Sequence, residues 1–460
     1  MTRRQFASSA ATPLLSQSCP GARSVLLLIG DDHSTIAGCY GDRVIQTPNL
    51  DRLAARGVRF TQSFCTTASC SASRSVLLTG LHNHANGQFG HAHAPHNLHT
   101  HQWVQSVPRI AKANGALSGL IGKLHVNPPS VYPWDFVVGG GLGADARDVH
   151  GMAQSAGKFL QQAGGKPFYL HAGFSDPHRA GKGFGNDKPW PNVRKRKYAP
   201  ADVPVPAFLP DNAEVRAELA EYYESIDRLD QGIGLFLETL EKSGRAKDTL
   251  VIYLSDNAMP FPGAKASFYD TGLNVPLIIS SPLAQSRGLV SQALVHWPDI
   301  APTVLDWMGL PEPSYGMHGR RLVPILEQEL PPDRDEFFFS HTFHEINNYY
   351  PFRGLRTRTH KYIRFLFPEL QMPLPSDLFG SPTWQGIRAR GDIRMGVRKT
   401  ADVLHHQREE LYGLANDPFE TTNLVLDPEH GQLLAGMREK VRDFRKRTKD
   451  PWFIEEQGLG

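Results

Sequence analysis

Ser24-Val25-Leu26-Leu27-Leu28-Ile29-Gly30-Asp31-Asp32 is the stretch whose reading decides the fold. Five large apolar residues in a row, with no polar alternation, describe a strand buried on both faces, as in a parallel sheet covered by helices on either side. The run ends in a glycine and two carboxylates. The same pattern recurs along the chain. Residues 117–121 end in Gly122-Lys123-Leu124-His125, 168–174 in Ser175-Asp176-Pro177-His178, and 250–254 in Ser255-Asp256-Asn257; a fifth run covers 275–279.

Helical patterns separate these runs. Pro48 opens one behind Thr47 as N-cap, and Gly57 closes it. Others are expected near 104–114 and 151–162, and near 299–308, where Pro302 should confine the helix to its later turns. The longest follows Asp211, which with Glu214 forms a capping-box-like start. Its apolar residues Val215, Leu219, Tyr222, Ile226, Leu229, Ile233, Phe236 and Leu240 recur in steps of three and four, and Gly244 stops it. Strands alternating with helices predict an α/β fold with a large, mostly parallel sheet flanked by helices.

After Glu327 the character changes. Pro331-Pro332-Asp333 reads as a linker, Phe337-Phe338-Phe339 and Tyr362-Ile363-Arg364-Phe365 as strands of a smaller, antiparallel sheet, and Leu433, Met437, Val441 and Phe444 as one face of a last helix. The expected organisation is a large domain over 24–330 and a smaller C-terminal α+β domain over 331–460. Residues 1–23 form either an export signal or a disordered N-terminus. Thr2-Arg3-Arg4-Gln5-Phe6 resembles a twin-arginine signal, although Pro13 and Ser16 interrupt its apolar part. An exported protein, periplasmic or secreted, is expected, with a cytoplasmic one as the alternative.

Composition excludes several classes. The 49 Lys and Arg against 46 Asp and Glu are spread along the chain, so nothing favours nucleic acid, and Arg194-Lys195-Arg196-Lys197 reads as a solvated loop. No apolar stretch is long enough to span a membrane. Four cysteines, Cys19, Cys39, Cys65 and Cys70, all within the first seventy residues, are too few and too clustered for a disulfide framework.

Ligands of open parallel sheets bind beyond the C-terminal strand ends. A single Asp there is usually a turn former, but ionisable residues at four such ends point to a site. Asp31, Asp32, Asp256 and Asn257 offer hard oxygen ligands suited to Ca2+ or Mg2+, while Arg74, Lys123, His125, His178 and Lys265 suit an anion. A further stretch, Phe64 to Gly80, places Cys70 at the first turn of a helix beginning Cys70-Ser71-Ala72-Ser73-Arg74, where the helix dipole favours negative charge. His82, His84, His91, His93, His96, His99 and His101 are irregularly spaced and read as a surface or rim loop rather than a metal site. Phosphoryl and sulfuryl transfer both fit a metal and a cationic ring around one nucleophile.

Cys70-Ser71-Ala72-Ser73-Arg74 with Leu78-Thr79-Gly80 resembles the signature of the sulfatases of the alkaline-phosphatase superfamily. The resemblance extends to Asp31-Asp32, Lys123-Leu124-His125, Asp176-Pro177-His178, Asp256-Asn257, Lys265 before Tyr269 and Gly272, and Glu410-Leu411-Tyr412 with Asp417-Pro418 and Asn423-Leu424. It implies an alkaline-phosphatase-like sheet, a Ca2+ ion (or Mg2+) held by Asp31, Asp32, Asp256, Asn257 and residue 70, and oxidation of Cys70 to formylglycine by a sulfatase-maturating enzyme. The aldehyde hydrates; one hydroxyl attacks sulfur, and the second later expels sulfate. Arg74 and Lys123 would hold the nucleophile, His125 would be the base for release, and His178 or Lys265 would assist the leaving group.

Lys123-Leu124-His125-Val126, Val131-Tyr132-Pro133-Trp134-Asp135-Phe136, Pro260-Phe261-Pro262, Pro313-Ser314-Tyr315 and His344-Glu345 ahead of Tyr350-Pro351 resemble family members that cleave sulfamate groups of N-sulfated glucosamine in heparan-type saccharides. Asp176, His84, His344 and Glu345 are the substrate-binding candidates. Two positions depart from that pattern: Ala72 replaces a common proline, and Lys265 stands where the sulfamate-cleaving members have arginine. Other sulfated sugars, aryl sulfates, phosphonate or phosphate esters, and a catalytically silent sugar-binding protein remain the alternatives. The partners implied are a sulfated saccharide and the maturating enzyme, with a homodimer as one open assembly.

Overall fold

The computed structural model describes residues 23–140 and 146–453; the expected export signal lies outside them. An eight-stranded sheet is built from β1 (Ser24–Gly30), β2 (Val58–Phe64), β3 (Leu117–Gly122), β4 (Phe136–Gly139), β5 (Phe168–Gly173), β6 (Thr249–Ser255), β7 (Leu277–Ser280) and β8 (Leu289–His296). Their order is β4-β3-β5-β1-β6-β7-β2-β8. β7 runs antiparallel to both neighbours, β6 and β2, so the fifth apolar run is a strand of the opposite direction.

β1 shows why an unbroken apolar run marks this position. Val25, Leu27 and Ile29 point to one core with Val76, Leu77, Val107 and Val304; Leu26 and Leu28 point to another with Val149, Phe159, Leu229 and Ile233. Polar residues at either set of positions would face apolar side chains. Helices Cys70–Thr79, Val107–Ala113 and Ile300–Met308 cover the first face, and Pro48–Arg56, Val149–Ala163 and Ala213–Lys242 the second.

Three local expectations are revised. The 30-residue helix is capped by Asn212, whose side chain accepts from the Val215 N–H at 3.0 Å, while Asp211 pairs with Arg216. Pro302 lies in the first turn of Ile300–Met308, where its missing N–H costs nothing, so the helix is not confined to later turns. In the last helix, Gly431–Arg447, Leu434 takes the buried place expected for Leu433, because Leu434 rather than Leu433 packs with Met437 and Val441 against the smaller sheet.

That sheet pairs β9 (Glu336–Phe343), β10 (Tyr349–Thr357), β11 (His360–Phe365) and the strand Glu409–Gly413 in antiparallel order. One apolar core passes through both sheets. Phe64 stacks on Phe337 at 4.5 Å between ring centroids, and the Ser340 N–H donates to the Thr66 carbonyl at 2.9 Å. Among the described residues no helix is long and apolar enough to cross a membrane.

Candidate active site

β3, β5, β1 and β6 lie side by side and parallel, so their C-terminal ends meet along one edge. Gly122 is level with Gly173, and Gly30 with Ser255. The residues just beyond converge there. The Asp32 N–H donates to Asp256 Oδ1 at 3.0 Å, and the Asp31 N–H to the Asp176 carbonyl at 2.9 Å. Cys70 opens its helix behind Ser69 and is fully buried beneath this edge.

Cys70 Sγ lies 3.7 Å from Asp32 Oδ1 and accepts from Asn257 Nδ2 at 3.5 Å. One oxygen from each of Asp31, Asp32 and Asp256, together with this sulfur, falls within 4.8 Å of the others. Cations surround them. Arg74 pairs with Asp256 at 2.7 Å and Asp31 at 3.4 Å, and donates to the Lys123 carbonyl at 3.1 Å. Lys123 pairs with Asp31 at 2.5 Å, and Lys265 with Asp32 at 2.9 Å and Asp377 at 2.8 Å. The His178 ring is oriented by its neighbours: Nδ1 donates to the Arg179 carbonyl at 2.6 Å, leaving Nε2 to accept from Lys265 at 3.1 Å.

Burial sets most of the charge states. It raises Asp32 to about 7 against the pull of Lys265, and Asp256 to about 6 against Arg74. Burial also opposes ionisation of Asp31, but Lys123 and Arg74 outweigh it and hold this carboxylate well below its usual range. Lys265 remains an ammonium because Asp32 and Asp377 overcome its desolvation. Burial, then Lys265, lowers His178 to about 3; burial and Lys123 lower His125, so both imidazoles are neutral.

The Cys70 thiol differs from the expectation of an anion-favouring helix start. Burial drives its pKa well up, Lys265 only partly opposes this, and Asp32 and Asp256 add to it, so the group is a neutral thiol. A short helix dipole does not compensate for complete burial beside carboxylates.

The donor set fits a hard divalent cation. Asn257 Oδ1 is buried with no hydrogen-bond donor among the described residues, Asp31 Oδ1 meets only the Arg74 guanidinium in a long ion pair of 3.4 Å, and three carboxylate oxygens converge beside them.

A cavity of about 480 Å3 opens over this edge, reached by Asp31, Lys123, His125, His178, Lys265, His344 and Glu345. Two substrate candidates lie elsewhere. Asp176 is fully buried, its carboxylate held by Arg147 at 3.0 Å, Ser225 at 2.8 Å and Arg228 at 2.6 Å; it faces the interior because its backbone, not its side chain, meets β1. His84 is buried between Ser340 Oγ at 3.0 Å and Thr448 Oγ1 at 2.8 Å, edge-on to Phe444, and ties the histidine-rich segment to the C-terminal part.

The histidine segment is only in part a rim. His82, His84 and His91 are buried, His93 and His96 half-buried, and His99 and His101 exposed. His91 Nε2 meets His344 Nε2 at 3.0 Å, and His93 Nδ1 meets His125 Nε2 at 2.7 Å. His91 and His93, expected only as members of a rim loop, line the cavity, as does Asp377, which was not singled out. Asp377 carries no local signal, since it meets Lys265 across 112 positions.

The chain belongs to the sulfatase family: the sulfatase family model matches residues 23–310, and the model for the C-terminal part of N-sulphoglucosamine sulphohydrolase matches 264–374. It is accordingly a hydrolase of sulfuric ester or sulfamate bonds. Among its relatives, human N-sulphoglucosamine sulphohydrolase is 37% identical, over 95% of this chain and 92% of the human protein. A solved structure of a protein in complex with its substrate D-glucosamine-2-N,6-O-disulfate shares the fold with a TM-score of 0.68 at 21% identity, covering 95% of this chain and all of the other. A phosphonate monoester hydrolase of Agrobacterium radiobacter also shares it, with a TM-score of 0.66 at 21% identity over 93% and 96%.

Proposed function

We propose that this chain hydrolyses the sulfamate group of N-sulfoglucosamine in heparan-type saccharides, with residue 70 converted to formylglycine and Ca2+ or Mg2+ in the carboxylate cluster. The observation that carries this reading is the ring of Asp31, Asp32, Asp256, Asn257, Arg74, Lys123 and Lys265 closed around Cys70. The 37% identity to the human sulfamidase supports the substrate, as does the match over 264–374, the segment that supplies Lys265, His344 and Glu345 to the cavity.

Asp31, Asp32, Asp256 and Asn257 would hold the cation. The hydrated aldehyde and the cation together would supply a polarised hydroxyl nucleophile at position 70. Arg74 and Lys123 fix the strand ends that carry the carboxylates and offset developing negative charge on the sulfonyl oxygens. Lys265 is an ammonium directed toward both Asp32 and the cavity, and donates to those oxygens or to the departing nitrogen. His125, neutral and lining the cavity, accepts the proton when sulfate leaves; neutral His178 orients Lys265 through its Nε2. Glu345 and Asp377 at the mouth suit the hydroxyl groups of the sugar.

Export is proposed from Thr2-Arg3-Arg4-Gln5-Phe6. The test of function is to produce the protein with a maturation system, measure the mass of the peptide carrying residue 70, and assay N-, 3-O- and 6-O-sulfated glucosamine beside a phenyl phosphonate. An aldehyde at 70 with sulfate release from the N-sulfated sugar supports the reading. Release from 6-O-sulfate alone refutes the substrate, and activity with residue 70 still a cysteine refutes the mechanism.

A further inference from the structure

The histidine segment brings three imidazoles together beside the carboxylate cluster. We propose that His91, His93 and His125 form a second cation site, for a borderline-soft divalent transition ion such as Zn2+, whose occupancy blocks the cavity. One ring nitrogen from each lies within 4.8 Å of the other two, and His93 Nδ1 and His125 Nε2 are already 2.7 Å apart. Tetrahedral Zn2+ with bonds of about 2.0–2.1 Å separates its ligand nitrogens by roughly 3.3 Å, so a modest ring rotation closes the set.

The backbone holds two ligands, and one of these holds the third. The His91 N–H donates to the His344 carbonyl at 2.9 Å, and the His91 carbonyl accepts from the Leu98 N–H at 3.1 Å. His125 sits in the left-handed region with φ 65°, two residues after Lys123, whose carbonyl Arg74 grips. His93, the half-buried member of the three, is held at Nδ1 by His125, itself a ligand of the set.

The donor set discriminates between cations. Three imidazoles without a carboxylate favour Zn2+, Cu2+ or Ni2+, whereas the oxygen cluster beneath favours Ca2+ or Mg2+. His91 has contacts for its other ring nitrogen, Ser71 Oγ at 3.4 Å through Nδ1 and His344 at 3.0 Å through Nε2, so whichever nitrogen binds, the opposite one has an orienting partner. His125 Nδ1 is buried with no partner among the described residues. Lys123 and Lys265 face the same cavity but are paired with Asp31, Asp32 and Asp377, which offsets their repulsion of a cation, and Glu345 adds a carboxylate nearby. Burial keeps the rings in the neutral, ligating form.

Binding stands on this geometry alone. Its effect on turnover rests on the role given above to His125, whose lone pair the ion would occupy.

The test is titration of the full-length protein with Zn2+ by calorimetry and with Co2+ by visible absorption, both in excess Ca2+. One equivalent is expected, with the strong visible bands of four-coordinate Co2+ and without the near-ultraviolet band of a thiolate ligand. His93→Gln and His91→Gln should each weaken it by roughly tenfold or more, whereas Cys70→Ala should leave it unchanged. His93→Gln replaces a half-buried side chain, and an unchanged melting temperature verifies its fold. Absence of the equivalent, its loss in Cys70→Ala, or its persistence in both histidine variants overturns the site. Binding as expected with full sulfate release supports the site and refutes the role of His125.

Discussion

Asp176→Asn separates an internal tie from a sugar contact. Asp176 is buried against Arg147 and Arg228, themselves buried, and accepts four hydrogen bonds from them and Ser225. The amide removes the only charge that this carboxylate offers two guanidinium groups and turns one acceptor into a donor facing an N–H. Breaking a buried charge pair costs about 3–5 kcal/mol. Because the Asp176 carbonyl also holds the Asp31 N–H, and His178 follows two residues later, the loop that carries His178 should loosen. Urea unfolding followed by circular dichroism should therefore show a stability loss of about that size. Under conditions where the variant is folded, kcat should fall with little change in KM. A variant as stable as the parent with a strongly raised KM would show that Asp176 contacts the substrate, and the reasoning would be wrong.

Gly173→Ala would place a Cβ 2.0 Å from the Lys123 carbonyl and 3.1 Å from Arg74 Nη1. Both must shift, so turnover should drop by roughly a hundredfold, about 2.7 kcal/mol of barrier, with a lower melting temperature; near-normal kinetics would contradict the placement of Lys123. His33 is held at about 4, and His171 and His341 at about 3, by burial, against 6.5 when unfolded. Above 6.5 both states are neutral and stability is full. As pH falls below that value the unfolded chain takes up protons first, so each histidine should cost about 1.4 kcal/mol per pH unit until its folded value is reached. Melting temperatures flat between about pH 7 and pH 5 would refute this account of burial. Chelation should abolish sulfate release and lower the melting temperature, since a cation at a hundred times its dissociation constant contributes about 2.7 kcal/mol. Ca2+ and Mg2+ added back separately would rank the two ions, and full activity in chelator would refute a metal-dependent nucleophile.

Much of the sheet was legible because β1, β3, β5 and β6 are apolar on both faces and leave a continuous hydrophobic run in the sequence. β2, with Arg59, Thr61 and Gln62 only half-buried, leaves no such run. Nor does an apolar run record direction, so β7 could not be recognised as antiparallel. Asp31, Asp32, Lys123, Asp256 and Asn257 were readable for the same reason as the strands: each follows a run directly. The rule fails at Asp176, because strand-end position fixes where a backbone arrives and not which way its side chain turns. His93 comes from a loop and Asp377 from a four-residue helix, Ser376–Phe379, whose approach to the cavity depends on the smaller sheet and the histidine segment packing together. No local period encodes that meeting.

The burial of Cys70 has a consequence for the order of events in the life of the chain. Its sulfur touches side chains from positions 32 and 257, the latter 187 residues further along, and none of it reaches solvent. If residue 70 is converted by a second protein as proposed above, this burial requires that the enzyme meet it before β6 has been added beside β1. The finished fold closes over the group. On that reading, maturation would compete with folding in time, and a molecule that folded first would keep its thiol.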